Sequence, residues 1–130
     1  MKAIAKGEFT VKIIPQTEDR QLPLFGRMTI DKAFYGDIIG TSQGQMLSAG
    51  TQIPNSAGYV AIERITGTIH GKRGTFVLQH NATMNRGEGN LNIVVVPDSG
   101  TEELAGLTGN LSISIKDKKH FYEFEYELPD

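Results

Sequence analysis

The stretch GYVAIERITGTIHGKRGTFVLQHNA, residues Gly58 to Ala82, decides the fold. In its first half Tyr59, Ala61, Glu63 and Ile65 take every second position, with Val60, Ile62 and Arg64 between them. After the glycine-bracketed Gly71-Lys72-Arg73-Gly74, the residues Phe76, Leu78 and His80 resume the alternation. A period of two sends successive side chains to opposite faces of a strand, and glycines supply the positive φ of a hairpin turn. The stretch therefore predicts a strand over about 58–69 and its antiparallel partner over about 75–82. With the turn centred on Lys72-Arg73, Ile65 lies across from His80 and Glu63 across from Ala82. Glu63 and His80 then share a face as diagonal neighbours, about 7 Å apart at Cα.

The same alternation runs through the rest of the chain. Phe9, Val11 and Ile13 mark a first strand, and Met28, Ile30 and Phe34 a second that ends in a reversal at Tyr35-Gly36-Asp37. A third covers about 38–47, with Gly40, Ser42, Gly44 and Met46 on one face as small residues where a curved sheet bends. Residues 91–96, 110–115 and 121–128 supply the sixth to eighth strands. Thr101 to Ala105 is the one helical candidate, with Ser99 or Thr101 as its cap. Eight strands joined by short links predict an all-β fold, a single eight-stranded antiparallel up-and-down β-barrel occupying residues 1–130 as one domain. A two-sheet sandwich is the competing architecture.

Loop lengths in such a meander separate its two ends. Residues 15–25, 48–57, 83–90 and 116–119 gather at one end, the expected mouth, while the other carries two tight turns and the 96–108 connection. Tyr59, His80 and Tyr122 adjoin mouth loops, and Glu63 shares the face of His80. A carboxylate, an imidazole and a phenol on a mostly apolar face suit the holding and polarising of a small ligand. Lys32 interrupts the apolar face of the second strand, and an inward lysine needs a partner, an anion or a route to solvent. The candidate ligand-binding residues are accordingly Tyr59, Glu63, His80, Tyr122 and Lys32. Against this stands the commoner structural case: a buried Glu–His pair satisfying itself, and core tyrosines with tied-off hydroxyls. His70 and His120 are expected in solvent, at turns.

Other chemistry finds little purchase. The 130 residues contain no cysteine, which removes disulfides and thiolate chemistry, and three scattered histidines form no metal motif. No metal and no cofactor is expected. Gly87-Glu88-Gly89 lacks the strand-to-helix setting of a dinucleotide loop, and Ser99 sits in no nucleophile elbow. The net charge of −2 and the dispersed basic residues argue against nucleic acid. No apolar run reaches the length of a membrane helix and the first residues carry no apolar leader core, so the expected location is the cytoplasm.

Several segments resemble a known bacterial group. They are Gly7-Glu8-Phe9-Thr10-Val11, Ile30-Asp31-Lys32 to Phe34, Gly36-Asp37 to Ser42, Gly58 to Arg64, Gly74 to His80, and Val96-Pro97 with Leu104-Ala105-Gly106-Leu107-Thr108-Gly109. On these the chain is similar to domain-of-unknown-function family 3224, itself similar to the allene-oxide-cyclase barrels. The resemblance implies an eight-stranded barrel that associates through its walls. It transfers no activity, because the cyclase catalytic set does not map onto this chain. Two functional expectations follow. One is a barrel that binds, or isomerises, a small, largely apolar molecule; the alternative is a non-catalytic interaction module. Val60, Ile62 and Val77, pointing outward, lead to the expectation of a homo-dimer or higher homo-oligomer.

Overall fold

In the computed structural model, which describes residues 2–16 and 24–129, every strand belongs to one closed sheet. The strands are β1 (Lys2–Pro15), β2 (Phe25–Gly36), β3 (Ile38–Gly50), β4 (Ala57–Ile69), β5 (Lys72–Asn85), β6 (Glu88–Val95), β7 (Thr108–Lys116) and β8 (Lys119–Glu127). Each pairs antiparallel with the next, and β8 returns to β1 through pairs such as Gly7 with Tyr122 and Phe9 with His120. Closure removes the open sandwich from consideration, with the β6–β7 seam the narrowest at a single pair, Val94 with Asn110. Part of the expected 15–25 loop, residues 17–23, lies outside the described residues.

The β4–β5 hairpin differs from the sequence expectation in register. His70 and Gly71 both have positive φ, 48° and 82°, and make a two-residue turn that pairs Ile69 with Lys72. Lys72 and Arg73 thus continue the strand, and His80 faces Ala61 rather than Ile65, while Glu63 faces Leu78 rather than Ala82. The offset is an even number of residues, so no side chain changes face. Glu63 and His80 remain diagonal neighbours.

Inside the barrel, Phe9, Phe34, Ile65, Phe76, Leu78, Tyr122 and Phe124 are buried and fill the centre. Phe76 stacks on Phe124 with ring centroids 5.7 Å apart. This aromatic filling needs close backbones on the opposite wall. A Cβ on Gly40 would lie 2.2 Å from the Thr66 carbonyl, so only glycine lets β3 and β4 approach there.

The end away from the mouth is sealed by the β6–β7 connection. β6 pairs with β5 only from Leu78 onward, which leaves the Thr75 and Val77 amides without a strand on that side. Thr101 Oγ1 and Ser99 Oγ accept those two N–H groups at 2.9 and 3.0 Å. Their service here explains why neither caps the short 3₁₀ turn, Glu102–Leu104, that stands where a helical turn was expected. Leu104 and Leu107 from this connection are buried in the core.

Tyr122 reaches toward that same sealed end, not the mouth. Its Oη accepts the Ile38 N–H at 2.8 Å and donates to the Tyr35 carbonyl at 2.8 Å, pinning the β2–β3 reversal. The sequence misplaced it because strands in a barrel are tilted and staggered. β8 joins β1 at Phe9, well short of Pro15, so a residue close to the lysine turn lies deep along its neighbour. His70 is exposed in its turn, as expected, and hydrogen-bonds through Nδ1 to the Tyr126 hydroxyl with the Asp37 carboxylate 3.5 Å away, whereas His120, expected in solvent, is half-buried with its ring 5.1 Å from that of Phe9. Tyr122→Phe strands the buried Ile38 N–H, and thermal unfolding should show a loss of about 1–3 kcal/mol with an unchanged β-sheet circular dichroism spectrum.

Candidate functional site

Inward-pointing positions on four successive strands meet near the middle of the wall. β2 supplies Lys32, β3 Ser42, β4 Glu63 and β5 His80. Lys32 pairs directly with Ser42, whereas Glu63 stands opposite Gly44, one step toward the mouth. A Cβ on Gly44 would fall 2.7 Å from both Cα and Cβ of Glu63, so the glycine is what lets the glutamate lie against β3. The Lys32 stem runs over aromatic faces, with Nζ 4.9 Å from the Phe9 ring centroid and 6.0 Å from that of Phe34.

Lys32 Nζ lies 2.9 Å from Glu63 Oε2 and His80 Nε2 lies 3.5 Å from the same oxygen. The side chains of Lys32, Glu63 and His80 are 8%, 0% and 4% exposed, which makes this an ionic cluster in a nearly dry interior. Both contacts are ion-pair distances without the alignment of a hydrogen bond. Glu63 Oε1 and Oε2, His80 Nε2 and Ser42 Oγ have no aligned hydrogen-bond partner among the described residues. Burial alone would raise the Glu63 carboxyl pKa; His80 and the Lys32 charge outweigh it and hold the group below its ordinary value of 4.5. Glu63 is therefore ionised at neutral pH.

The structure brings together three of the five residues singled out in the sequence, with Tyr59 next to them and Tyr122 apart. Tyr59 packs its ring 6.4 Å from that of His80, and burial together with the Glu63 charge raises its hydroxyl pKa above 10.0. The phenol thus keeps its proton at neutral pH. Tyr122 belongs to the sealed end, with burial its main reason for a raised pKa. Ser42 was legible only as a small residue; its hydroxyl, wholly buried and unpartnered, joins the cluster. Among the described residues no three His, Cys, Asp or Glu side chains converge as metal ligands would.

Above the cluster, at the mouth end, lies a recess of about 950 Å³. Phe25, Met28, Leu47, Ser48, Tyr59 and Ala82 are among its lining residues. Glu63, His80 and Lys32 are not, so the charged centre lies beneath the recess and Tyr59 is the residue common to both neighbourhoods.

These features define a small closed antiparallel barrel with a packed centre, an ionic cluster in its core and a recess at one mouth. The chain belongs to domain-of-unknown-function family 3224: the family model, described as a protein of unknown function (DUF3224), matches residues 5–126. A crystal structure of a protein with unknown function from the DUF3224 family of Shewanella oneidensis MR-1 is similar over 100% of both chains, with 43% sequence identity and a TM-score of 0.93. No curated protein matches. The family resemblance is thereby shown, whereas the likeness to allene-oxide-cyclase barrels has the eight-stranded closure as its sole support.

Because the folded Glu63 pKa is depressed, its ion pair stabilises the fold fully above the ordinary value of 4.5 and progressively less as pH falls through the folded one. Thermal midpoints measured from pH 7 down to pH 3 should fall more steeply for the parent than for Glu63→Gln, which has no carboxyl to titrate at this position. Parallel curves would show that Glu63 carries no such linkage.

Proposed function

We propose that this barrel binds a small, largely apolar molecule in its mouth recess. The carrying observation is the recess itself, whose volume of about 950 Å³ falls within the range of ligand pockets and whose inward lining residues include Met28, Tyr59 and Ala82. An aromatic-filled interior fits a rigid scaffold, although two of the mouth connections, 86–87 and 117–118, are tight turns where longer loops were expected. Chemistry on the ligand is no part of this reading.

Charge placement supports a barrel that works in water, and we place it in the cytoplasm on the cysteine-free composition. The outer face of β8 and β1 carries Lys6, Glu123, Glu125 and Glu127, while the inner face is apolar, the reverse of a lipid-embedded barrel. Among the described residues no helix is long and apolar enough to cross a membrane.

A second property has its own observation in favour. On the outer face of β3 to β6, Leu47 beside Val60 and Ile62 between Gln45 and Gln79 are exposed, with Val94 next in the row. Around these apolar residues the face carries amide and hydroxyl side chains, with Arg64 near its centre and Arg73 and Glu88 toward its ends, a mixture suited to a second copy of itself. Val77, expected in this patch, is half-buried, because Ser99 and Val96 hydrogen-bond across it.

Two measurements test these readings. N-phenyl-1-naphthylamine, a neutral apolar fluorophore, should brighten on binding the parent, and Ala82→Trp, which fills the recess, should weaken that binding by at least about tenfold. No brightening with the parent, or equal binding by the variant, refutes the recess as the site. For association, light scattering should give an oligomeric parent and a folded monomer for Ile62→Lys; a monomeric parent removes the interface.

A further inference from the structure

We infer that the recess takes a neutral molecule whose apolar body carries a hydrogen-bond acceptor, a carbonyl oxygen being the simplest, with the Tyr59 hydroxyl as the donor that selects it. This rests on the recess-binding reading and goes beyond it by naming the polar group and the residue that reads it.

Strand register places that residue. Gly26, Ser48, Tyr59 and Ala82 pair in turn across β2, β3, β4 and β5, occupy inward positions and all line the recess. The next row down the barrel is Met28, Met46, Ala61 and His80, and it contributes only Met28 to the lining. Tyr59 stands opposite Ala82 but packs its ring 6.4 Å from that of His80, one row deeper. The phenol therefore leans down the barrel from the recess wall. Ser48 stays against the wall instead, since a Cβ on Gly26 would lie 3.0 Å from its Oγ.

The polar side chains of the lining differ in what they already do. Gln16 donates to the Ile14 carbonyl and Asn81 accepts from Asn92, while Thr83 and Arg27 are exposed at outward positions. Ser48 and Tyr59 are half-buried, and neither hydroxyl has a hydrogen-bond partner among the described residues. Both are open to a guest. The side-chain atoms that are at once sealed and unpartnered belong to Ser42, Glu63 and His80, and neither Ser48 Oγ nor Tyr59 Oη is one of them.

The chemistry of a phenol then sets the kind of guest. Its O–H is a stronger donor than that of an alcohol, and its oxygen, with lone pairs drawn into the ring, is a poor acceptor, so what it lacks is an acceptor. Burial and the Glu63 charge keep the proton on Tyr59 at neutral pH, and the same charge opposes an anion placed against the hydroxyl. Among the described residues the one cation of the lining is Arg27, which faces outward opposite Leu47 and would draw a carboxylate to the outside of the rim, away from Tyr59. A neutral acceptor meets the donor without either conflict.

Displacement of N-phenyl-1-naphthylamine by two probes of one shape tests the inference: 2-octanone, and 2-methyl-1-octene, which has a methylidene group in place of the carbonyl oxygen. Comparing variant with parent cancels the different hydrophobicities of the two probes. Tyr59→Phe removes one oxygen and keeps the ring, and it should lower the ketone-over-alkene affinity ratio at least about fivefold, the worth of one hydrogen bond, with the alkene changed less than about twofold. Ser48→Ala should lower the ratio by less. On the parent, octanoate should need concentrations at least about tenfold above those of 2-octanone. Without any variant, the infrared carbonyl stretch of 2-octanone bound to the parent should lie below its position in hexane. An unchanged ratio in Tyr59→Phe, a larger fall in Ser48→Ala, octanoate matching the ketone, or a carbonyl stretch at the hexane position overturns the inference while leaving recess binding in place. Failure of the fluorophore to bind the parent at all sinks the recess reading instead.

Discussion

A lysine and a glutamate held 2.9 Å apart in a nearly dry barrel constrain much of what surrounds them. Removing two charges from water costs several kcal/mol per ion, and their attraction repays it only with close geometry. That geometry requires Gly44, since a Cβ there would strike the Glu63 backbone. It also requires that Lys32 leave the outer surface and lay its stem over Phe9 and Phe34. The same two rings occupy the space opposite Gly40, where β3 and β4 come too close for any side chain. Charge, aromatic packing and glycine placement are therefore parts of one solution.

The barrel's two ends have opposite characters for a related reason. At one end the β6–β7 connection satisfies the free amides of β5 and drives Leu104 and Leu107 into the core, while the Tyr122 hydroxyl ties the β2–β3 reversal. At the other, β5 turns into β6 and β7 into β8 through two residues each, and the ends of β2 to β5 line a recess. A plugged end and a packed waist give an open mouth rigid walls, which lowers the ordering cost of binding there. The ionic cluster lies between packed waist and recess, where polar atoms are shielded from bulk water yet near a place a guest can occupy.

Much of this was legible in the sequence, and the failures have physical causes. Strict alternation identified all eight strands and the inward face of Lys32, Glu63 and His80, because a period of two fixes facing irrespective of register. Register itself was misread at one hairpin, since Gly71 and Gly74 bracket a plausible turn and only backbone φ shows that His70 accepts the left-handed position. Tyr122 was misplaced because barrel stagger is a property of closure and cannot be counted along one strand. The ion pair between Lys32 and Glu63 spans β2 and β4 with β3 between them, a distance in sequence and space that pairwise strand reasoning does not bridge. Ser42 gave no chemical signal beyond its small size.

A double-mutant cycle on Lys32 and Glu63 addresses the central constraint most directly. Lys32→Met and Glu63→Gln each leave one buried charge unpaired and should each lose about 3–5 kcal/mol of stability in denaturant unfolding. Combined, they remove both charges together, and the double variant should recover most of that loss, a coupling well above the scatter of independent sites. Additive losses in the double variant would contradict the account, showing that the two side chains do not depend on each other inside the barrel.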